Sequence, residues 1–410
     1  MKRLNDARIL MYSHDTFGLG HLRRCRTIAH ALVERFKGLT VLIISGSQIA
    51  GAFAFKARVD FVKIPSVIKL YSGDYTSISD HIDIADTLAM REALILQTAT
   101  LFDPDIFIVD KEPLGLRGEV VKTLTAMREK GCRTILGLRD VMDAPERLDE
   151  DWSKRNVLSE VASLYDDVWI YGPDNFWDPL QGLNVPDGLA RKVTYTGFLE
   201  RDRLDSEKDF AARLPEDFIL VTAGGGGDGA DVMSMVLAAR EYDRNLVYPL
   251  VLVTGPFMRR EKREEIKRRA ALLTNVTVIG FDNELETIID RATAMIGMCG
   301  YNTFCEILSF DKPALFLPRT HPREEQLIRA TRAAELGLTQ ILDSERAMNP
   351  ATMADALHVL PHAAKPSQSD HAIDLDGLGV IVAHVDTILS GQSNTTRTSR
   401  AAPQSAAAVL

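Results

Sequence analysis

Short apolar runs and amphipathic helical stripes alternate along this chain, twice over, and that alternation restricts the fold more than any other feature of the sequence. Residues 8–13 are apolar and too short for a helix, as expected of a strand buried on both faces. A glycine-bearing loop follows, and then Leu22, Cys25, Ile28, Ala29, Leu32, Val33 and Phe36 mark one face of a helix. Runs at 40–45, 59–64, 106–110, 134–138, 167–171 and 192–197 read as further strands, with helices at 80–101, 117–130 and 146–164. A second series has strands at 218–223, 249–254, 276–279, 294–298, 314–317 and 340–342. Its helices fall at 230–240, 259–273, 283–291, around Glu306, around Gln326, at 351–360 and at 371–389, the last weakened by Gly377 and Gly379. Strands and helices in this order make parallel sheets covered by helices on both faces. The expected class is therefore α/β, with two doubly wound, Rossmann-like domains in tandem.

The polar run ERDRLDSEKD at 200–209 is a sharp change of composition and the natural boundary. It divides the chain into a first domain over 1–199 and a second over 200–392, leaving a tail at 393–410 with too little apolar content to bury and hence expected to be disordered. A formal net charge of −9 over 410 residues argues against a general nucleic-acid binder, despite the basic stretch 259–269. Cys25, Cys132, Cys299 and Cys305 lack zinc-type spacing and are expected to be packed, reduced thiols. The first apolar run is too short for a signal peptide, and no window reaches the roughly 18 apolar residues of a membrane span. A cytoplasmic location is expected, with contact to the inner face of the membrane left open.

Each series opens with glycines between a strand and a helix. In TAGGGGDGADV the consecutive Gly224, Gly225, Gly226 and Gly227 let bare amides approach a ligand, and the helix near Ala230 adds the partial positive charge of its N-terminus. A phosphate or diphosphate fits such a turn. Neither a dinucleotide-binding G-x-G-x-x-G with its acid nor a P-loop lysine is present, which argues against NAD and ATP enzymes. In HDTFGLGH, Gly18 and Gly20 precede His21 at the start of a helix. An imidazole there suits proton abstraction from a hydroxyl near neutral pH, although His14 competes for the role, Asp15 could orient either ring, and simple capping is the plainer reading. Asp110 and Arg139, each at the end of a strand run, are placed to touch an acceptor; turn ion pairs and helix caps remain alternatives.

Residues 294–330 contain two successive strand-to-helix turns, and ligands of open parallel sheets bind beyond the strands' carboxyl ends. Glu306 lies on the first of these helices and Glu325 and Gln326 begin the second. A carboxylate at Glu306 can accept from both hydroxyls of a ribose, while Glu325 and Gln326 could meet the hydroxyls of a hexose; solvated helix positions are the alternative for all three.

These residues resemble a known group. GYNTFCE (Gly300, Thr303, Glu306), KPALFLP at 312–318, His321 and Glu325–Gln326 are similar to the donor-binding end of GT-B fold glycosyltransferases of family 28, the group that includes the transferase adding N-acetylglucosamine to the peptidoglycan lipid precursor. The likeness is closest over 276–330, is supported by the glycine run, and is looser at Gly18–His21. It resembles still more a poorly characterised branch of predicted transferases, some associated with polysaccharide synthesis.

The resemblance implies a cleft between the two domains. Glu306 would hold the ribose of a nucleotide, and Gly224 to Gly227 its diphosphate. The backbone around Phe281 would meet the base, and Gly300, Asn302 and Thr303 would line the donor site. Gln326 would touch the donor sugar, whereas Glu325 stands where the family has glutamine. His21 would be the catalytic base, and Arg319 would help stabilise the leaving diphosphate. The first loop lacks the family's dense glycine run, so the acceptor side is expected to be remodelled. The expected activity is an inverting, metal-independent hexosyl transfer from a nucleotide-diphosphate sugar, UDP being the expected nucleotide, to a glycan, lipid-linked or small-molecule hydroxyl, without cofactor. A sugar-nucleotide 2-epimerase on the same fold and a non-catalytic nucleotide-sugar binder are the rival readings.

Overall fold

Most of the apolar runs pair as parallel strands in the computed structural model, which describes residues 2–14, 19–69, 75–78, 82–202, 214–225, 227–282 and 285–392. In the first half these are β1 (Lys2–Ser13), β2 (Phe36–Ser45), β3 (Val59–Lys63), β4 (Val67–Lys69), β5 (Tyr75–Ser77), β6 (Ile106–Asp110), β7 (Arg133–Arg139), β8 (Asp167–Tyr171) and β9 (Val193–Tyr195). Seven of them form one sheet in the order β3-β2-β1-β6-β7-β8-β9, all parallel. The second half contributes β10 (Ile219–Thr222), β11 (Leu250–Val253), β12 (Val276–Ile279), β13 (Ala294–Gly297), β14 (Ala314–Phe316) and β15 (Gln340–Ile341), ordered β12-β11-β10-β13-β14-β15. Their buried, unalternating sequences follow from helices on both faces. Ile9 and Met11 pack with the first helix, Gly20–Arg35, while Leu10 and Tyr12 pack with the opposite layer around Ile95 and Leu124.

Strand order reverses between β1 and β6 in one sheet and between β10 and β13 in the other, and at such switch points the connections diverge and leave a crevice. The loop and helix carrying His21 leave β1, and Asp110 is the last residue of the adjacent β6. The glycine loop leaves β10, and the helix carrying Glu306 leaves the adjacent β13.

Three features depart from the sequence reading. The expected helix at 146–164 is two helices, Pro145–Lys154 and Val157–Leu164, broken at Asn156, whose φ of 51° lies in the left-handed region that asparagine tolerates. The antiparallel pair β4–β5 is too short to give a periodic signal. The last helix, Gly377–Gln392, does not stay with the second sheet: it returns to pack on helix Gly20–Arg35, and Trp169 Nε1 donates to His384 Nδ1 at 2.8 Å. Gly377 is required there rather than weakening, because a Cβ would lie 2.5 Å from the Gly197 carbonyl oxygen. Most of the expected boundary at 200–209 and the tail at 393–410 lie outside the described residues. All four cysteines are buried, and none is in a disulfide. No helix among the described residues is long and apolar enough to cross a membrane.

Candidate functional site

The first turn of helix Gly20–Arg35 holds no acidic residue and carries Arg23 and Arg24, although cations oppose the positive end of a helix dipole. Tertiary partners account for them. Arg24 Nε and Nη2 donate to Asp110 Oδ1 and Oδ2 at 2.7 and 2.5 Å, and His21 Nδ1 lies 2.5 Å from Asp110 Oδ2. Burial works against ionising Asp110, but Arg24 and His21 hold it well below the usual carboxylate range. Burial pushes His21 down to about 4 against the pull of Asp110, so the ring is neutral at pH 7. With Nδ1–H donated to the carboxylate, Nε2 is left as the proton acceptor.

The competing histidine is tied elsewhere. His14 Nδ1 sits 3.2 Å from the Tyr12 hydroxyl, which donates to Glu119 Oε1 at 2.5 Å, and Glu119 takes two bonds from Arg91. Burial brings His14 down to about 3. Its ring meets that of His21 edge-on, with centroids 5.7 Å apart. Asp110 partners His21, while Asp15 and Gly18 lie outside the described residues. Gly20 approaches the second half, its carbonyl accepting from Asn302 Nδ2 at 3.0 Å, and Asn302 Oδ1 accepts from Arg201.

On the second half, Gly224 takes a φ of 59°, and Gly225 O accepts from Phe257 N at 3.0 Å. Gly226 lies outside the described residues, and Gly227 leads through Asp228 to helix Ala230–Tyr242. Arg319 draws the sugar-side candidates to this loop. Its guanidinium donates to Asp228 Oδ2 at 2.5 Å and Glu325 Oε1 at 2.8 Å, and its amide donates to Gln326 Oε1 at 3.2 Å. Despite burial, Arg139, Arg319 and Lys111 hold Glu325 at about 2. Arg139 ends β7 with its Nε buried and unpartnered, and burial with the charges of Arg329, Arg24 and Arg323 brings it down to about 10 against Glu325.

Gly300 caps helix Tyr301–Ser309 in an extended conformation, and Asn302 and Thr303 are buried behind it. Glu306 is 0% exposed, which rules out the solvated reading. Arg23 Nη2, from the first half, donates to Glu306 Oε1 and, at 2.8 Å, to Glu286 Oε1. Phe281 sits at the rim, edge-on to Phe53 of the first half with centroids 6.1 Å apart.

Sequence reasoning missed Arg23, Arg24, Glu286, Lys111 and Gly255. Two arginines in a helix's first turn were the available signal for the first pair. Lys111 has a φ of 68° and donates to Glu112 at 3.1 Å; burial and the charges of Arg323 and Arg139 pull it to about 7. A separate cavity of about 500 Å³, lined by Arg128, Arg133 and His384, opens at the opposite, amino-terminal ends of β7 and β8, away from these groups.

Residues 218–373 match the glycosyltransferase family 28 C-terminal domain. An uncharacterized glycosyltransferase of Methanosarcina mazei is 25% identical over 328 residues, 75% of this chain and 79% of its own length. Among solved structures, a calicheamicin glycosyltransferase superposes with a TM-score of 0.59 at 16% identity, covering 98% of this chain and 100% of that one. A putative UDP-N-acetylglucosamine 2-epimerase from Listeria monocytogenes reaches 0.59 at 14% identity, covering 94% and 98%.

Proposed function

We propose that this chain, a GT-B fold glycosyltransferase similar to family 28, moves a hexose from a UDP-sugar to an acceptor hydroxyl with inversion and without a metal. The pairing of His21 with Asp110 at 2.5 Å carries this reading. It supplies a neutral base with a fixed tautomer, beside the carboxyl ends of the first sheet and one residue from the Gly20–Asn302 contact with the second. The acceptor hydroxyl gives its proton to His21 Nε2 as its oxygen attacks the anomeric carbon from the face opposite the diphosphate, and the bond to the diphosphate oxygen breaks. Negative charge builds on that leaving group. The amides of the glycine loop and the N-terminus of helix Ala230–Tyr242 balance it, joined by Arg319 as its guanidinium exchanges Asp228 or Glu325 for the diphosphate. Among the described residues, no group of three or more His, Cys, Asp or Glu is arranged to hold a metal.

Glu306 is assigned to the ribose, Phe281 to the base, and Glu325 and Gln326 to the transferred sugar. Because Glu306 is wholly buried beneath Arg23, a nucleotide reaches it only when the two halves separate, and closure afterwards excludes the water that would hydrolyse the donor. Incubation with UDP-glucose and UDP-N-acetylglucosamine, with and without hydroxyl acceptors, tests the proposal by mass spectrometry. A glycosylated acceptor is the expected product. A new sugar nucleotide formed with no acceptor would overturn transfer in favour of isomerisation, the activity named for the Listeria structure of like fold.

A further inference from the structure

Arg23 Nη2 is shared between Oε1 of Glu286 and Oε1 of Glu306, so two carboxylates face one guanidinium. Glu286 is 7% exposed and Glu306 0%. In both, Oε2 is sealed from solvent and has no hydrogen-bond partner. A buried carboxylate oxygen without a donor costs free energy, and burial raises Glu306 above the usual carboxylate value even though the charges of Arg23 and Arg201 pull it down. Such a cluster is incomplete. Its two vacant carboxylate oxygens suit a neutral group that donates hydrogen bonds.

Glu286 stands on helix Leu285–Arg291, which follows β12 on the same connection as the rim residue Phe281. Glu306 stands on the helix following β13. The two acids therefore approach the Arg23 guanidinium from two separate strand-to-helix connections of the second sheet.

We propose that Glu286 is a second carboxylate of the nucleotide site, which together with Glu306 takes the vicinal hydroxyls of the nucleoside's ribose. This deepens the donor assignment of Glu306 and rests on it. Arg23 is then a positioning residue: it holds the two acids side by side and cancels one of their charges, so that both present an open oxygen to the diol. The consequence is selectivity for ribonucleotides over deoxyribonucleotides, set by two residues rather than one.

The test is calorimetric titration of the full chain with UDP, 2′-deoxy-UDP and 3′-deoxy-UDP, for wild type, Glu286→Ala and Glu286→Gln. Wild type is expected to bind UDP about tenfold more tightly than at least one deoxy form, as a site built around a hydroxyl does. Glu286→Ala is expected to lower UDP affinity about tenfold while changing that deoxy form less than twofold, with Glu286→Gln, which keeps the packing, falling between. A merely structural ion pair would weaken all three ligands equally, and that result, or unchanged UDP binding in a folded Glu286→Ala, overturns the proposal. If wild type binds none of UDP, GDP or ADP, the donor assignment itself fails, an outcome distinct from loss of discrimination.

Discussion

Asp140, one residue beyond β7, and Arg329, on helix Glu325–Glu335, face each other across the two halves through two 2.7 Å bonds, with both side chains wholly buried. Arg329 also donates to the Cys299 carbonyl at 2.9 Å, just before the helix that carries Glu306. The pair thus fixes the carboxyl end of the first sheet against the donor-side turn of the second. A buried ion pair adds little net stability over a hydrophobic pair but is expensive to break singly. Arg329→Met strands the Asp140 charge and is expected to destabilise the protein by about 3–5 kcal/mol in chemical denaturation, whereas Arg329→Met combined with Asp140→Leu recovers most of that loss. Equal destabilisation by the single and double variants would show that the charge is not the cause.

His21→Ala is expected to abolish transfer while leaving UDP affinity within about twofold, since the ring would act on the acceptor and not on the nucleotide. Asp110→Asn keeps the shape but loses the tautomer control and the charge, so kcat should fall by about 10²- to 10⁴-fold with donor binding unchanged. Steady-state kinetics beside calorimetry separate the two effects. An active His21→Ala enzyme would move the base elsewhere.

The pH dependence follows from burial. His21 is near 4 when folded, below the ordinary histidine value, so between that value and about 4 the unfolded chain holds the proton that the folded one lacks. Stability contributed by this residue is therefore present above about 6.5 and is lost as pH falls towards 4, and His14, at about 3, adds to the same slope. For activity, the acid limb of kcat should lie near pH 4–5, not near 6.5. Thermal melts and rate profiles over pH 4–8 check both. An acid limb at 6.5 would mean that in the working complex Asp110 outweighs burial.

How legible was this site in the sequence? The strands were, because a parallel sheet buries both faces and its runs are short and uninterrupted, as at Ile106–Asp110 and Val276–Ile279. So was the clustering of Glu325, Gln326 and Arg319, which are neighbours in sequence as well as in space. Pairings across the fold were not. His21 and Asp110 are 89 residues apart, and Arg23 and Glu306 are 283 apart, so no local periodicity links them. The return of the last helix to the first sheet left no mark on its own residues beyond Gly377, whose role becomes clear only against Gly197.

Glu306→Ala should weaken nucleotide binding by about 1–3 kcal/mol if its carboxylate takes a ribose hydroxyl. Glu325→Gln poses a different question. Glu325 Oε1 is already bonded to Arg319 while Oε2 is unpartnered, and the acid is held ionised by Arg139, Arg319 and Lys111. An amide in its place retains the packing but removes the charge, so nucleotide affinity should hold while the preference among UDP-hexoses shifts. Competition between UDP-glucose and UDP-N-acetylglucosamine reads that preference directly. An unchanged ratio would remove Glu325 from the sugar site.

Gly255, after β11, bears on the diphosphate loop although it touches no candidate ligand residue through a side chain. Its φ of 77° lies in the left-handed region, and a Cβ there would come within 2.7 Å of the Gly224 carbonyl oxygen and 2.8 Å of Gly225. The obstructing atoms are backbone, so they can yield only by moving the loop. Gly255→Ala is expected to cost about 1–3 kcal/mol of stability from strain alone. Because the displaced atoms are those whose amides are assigned to the diphosphate, UDP affinity should fall further than uridine affinity, uridine lacking the phosphates. Parallel titrations with UDP and uridine distinguish the two. A variant that loses stability but binds both as wild type does would leave the loop as a mere connection and send the diphosphate elsewhere in the cleft, with Arg139 and Lys111, whose charges are only partly balanced, the next groups to test.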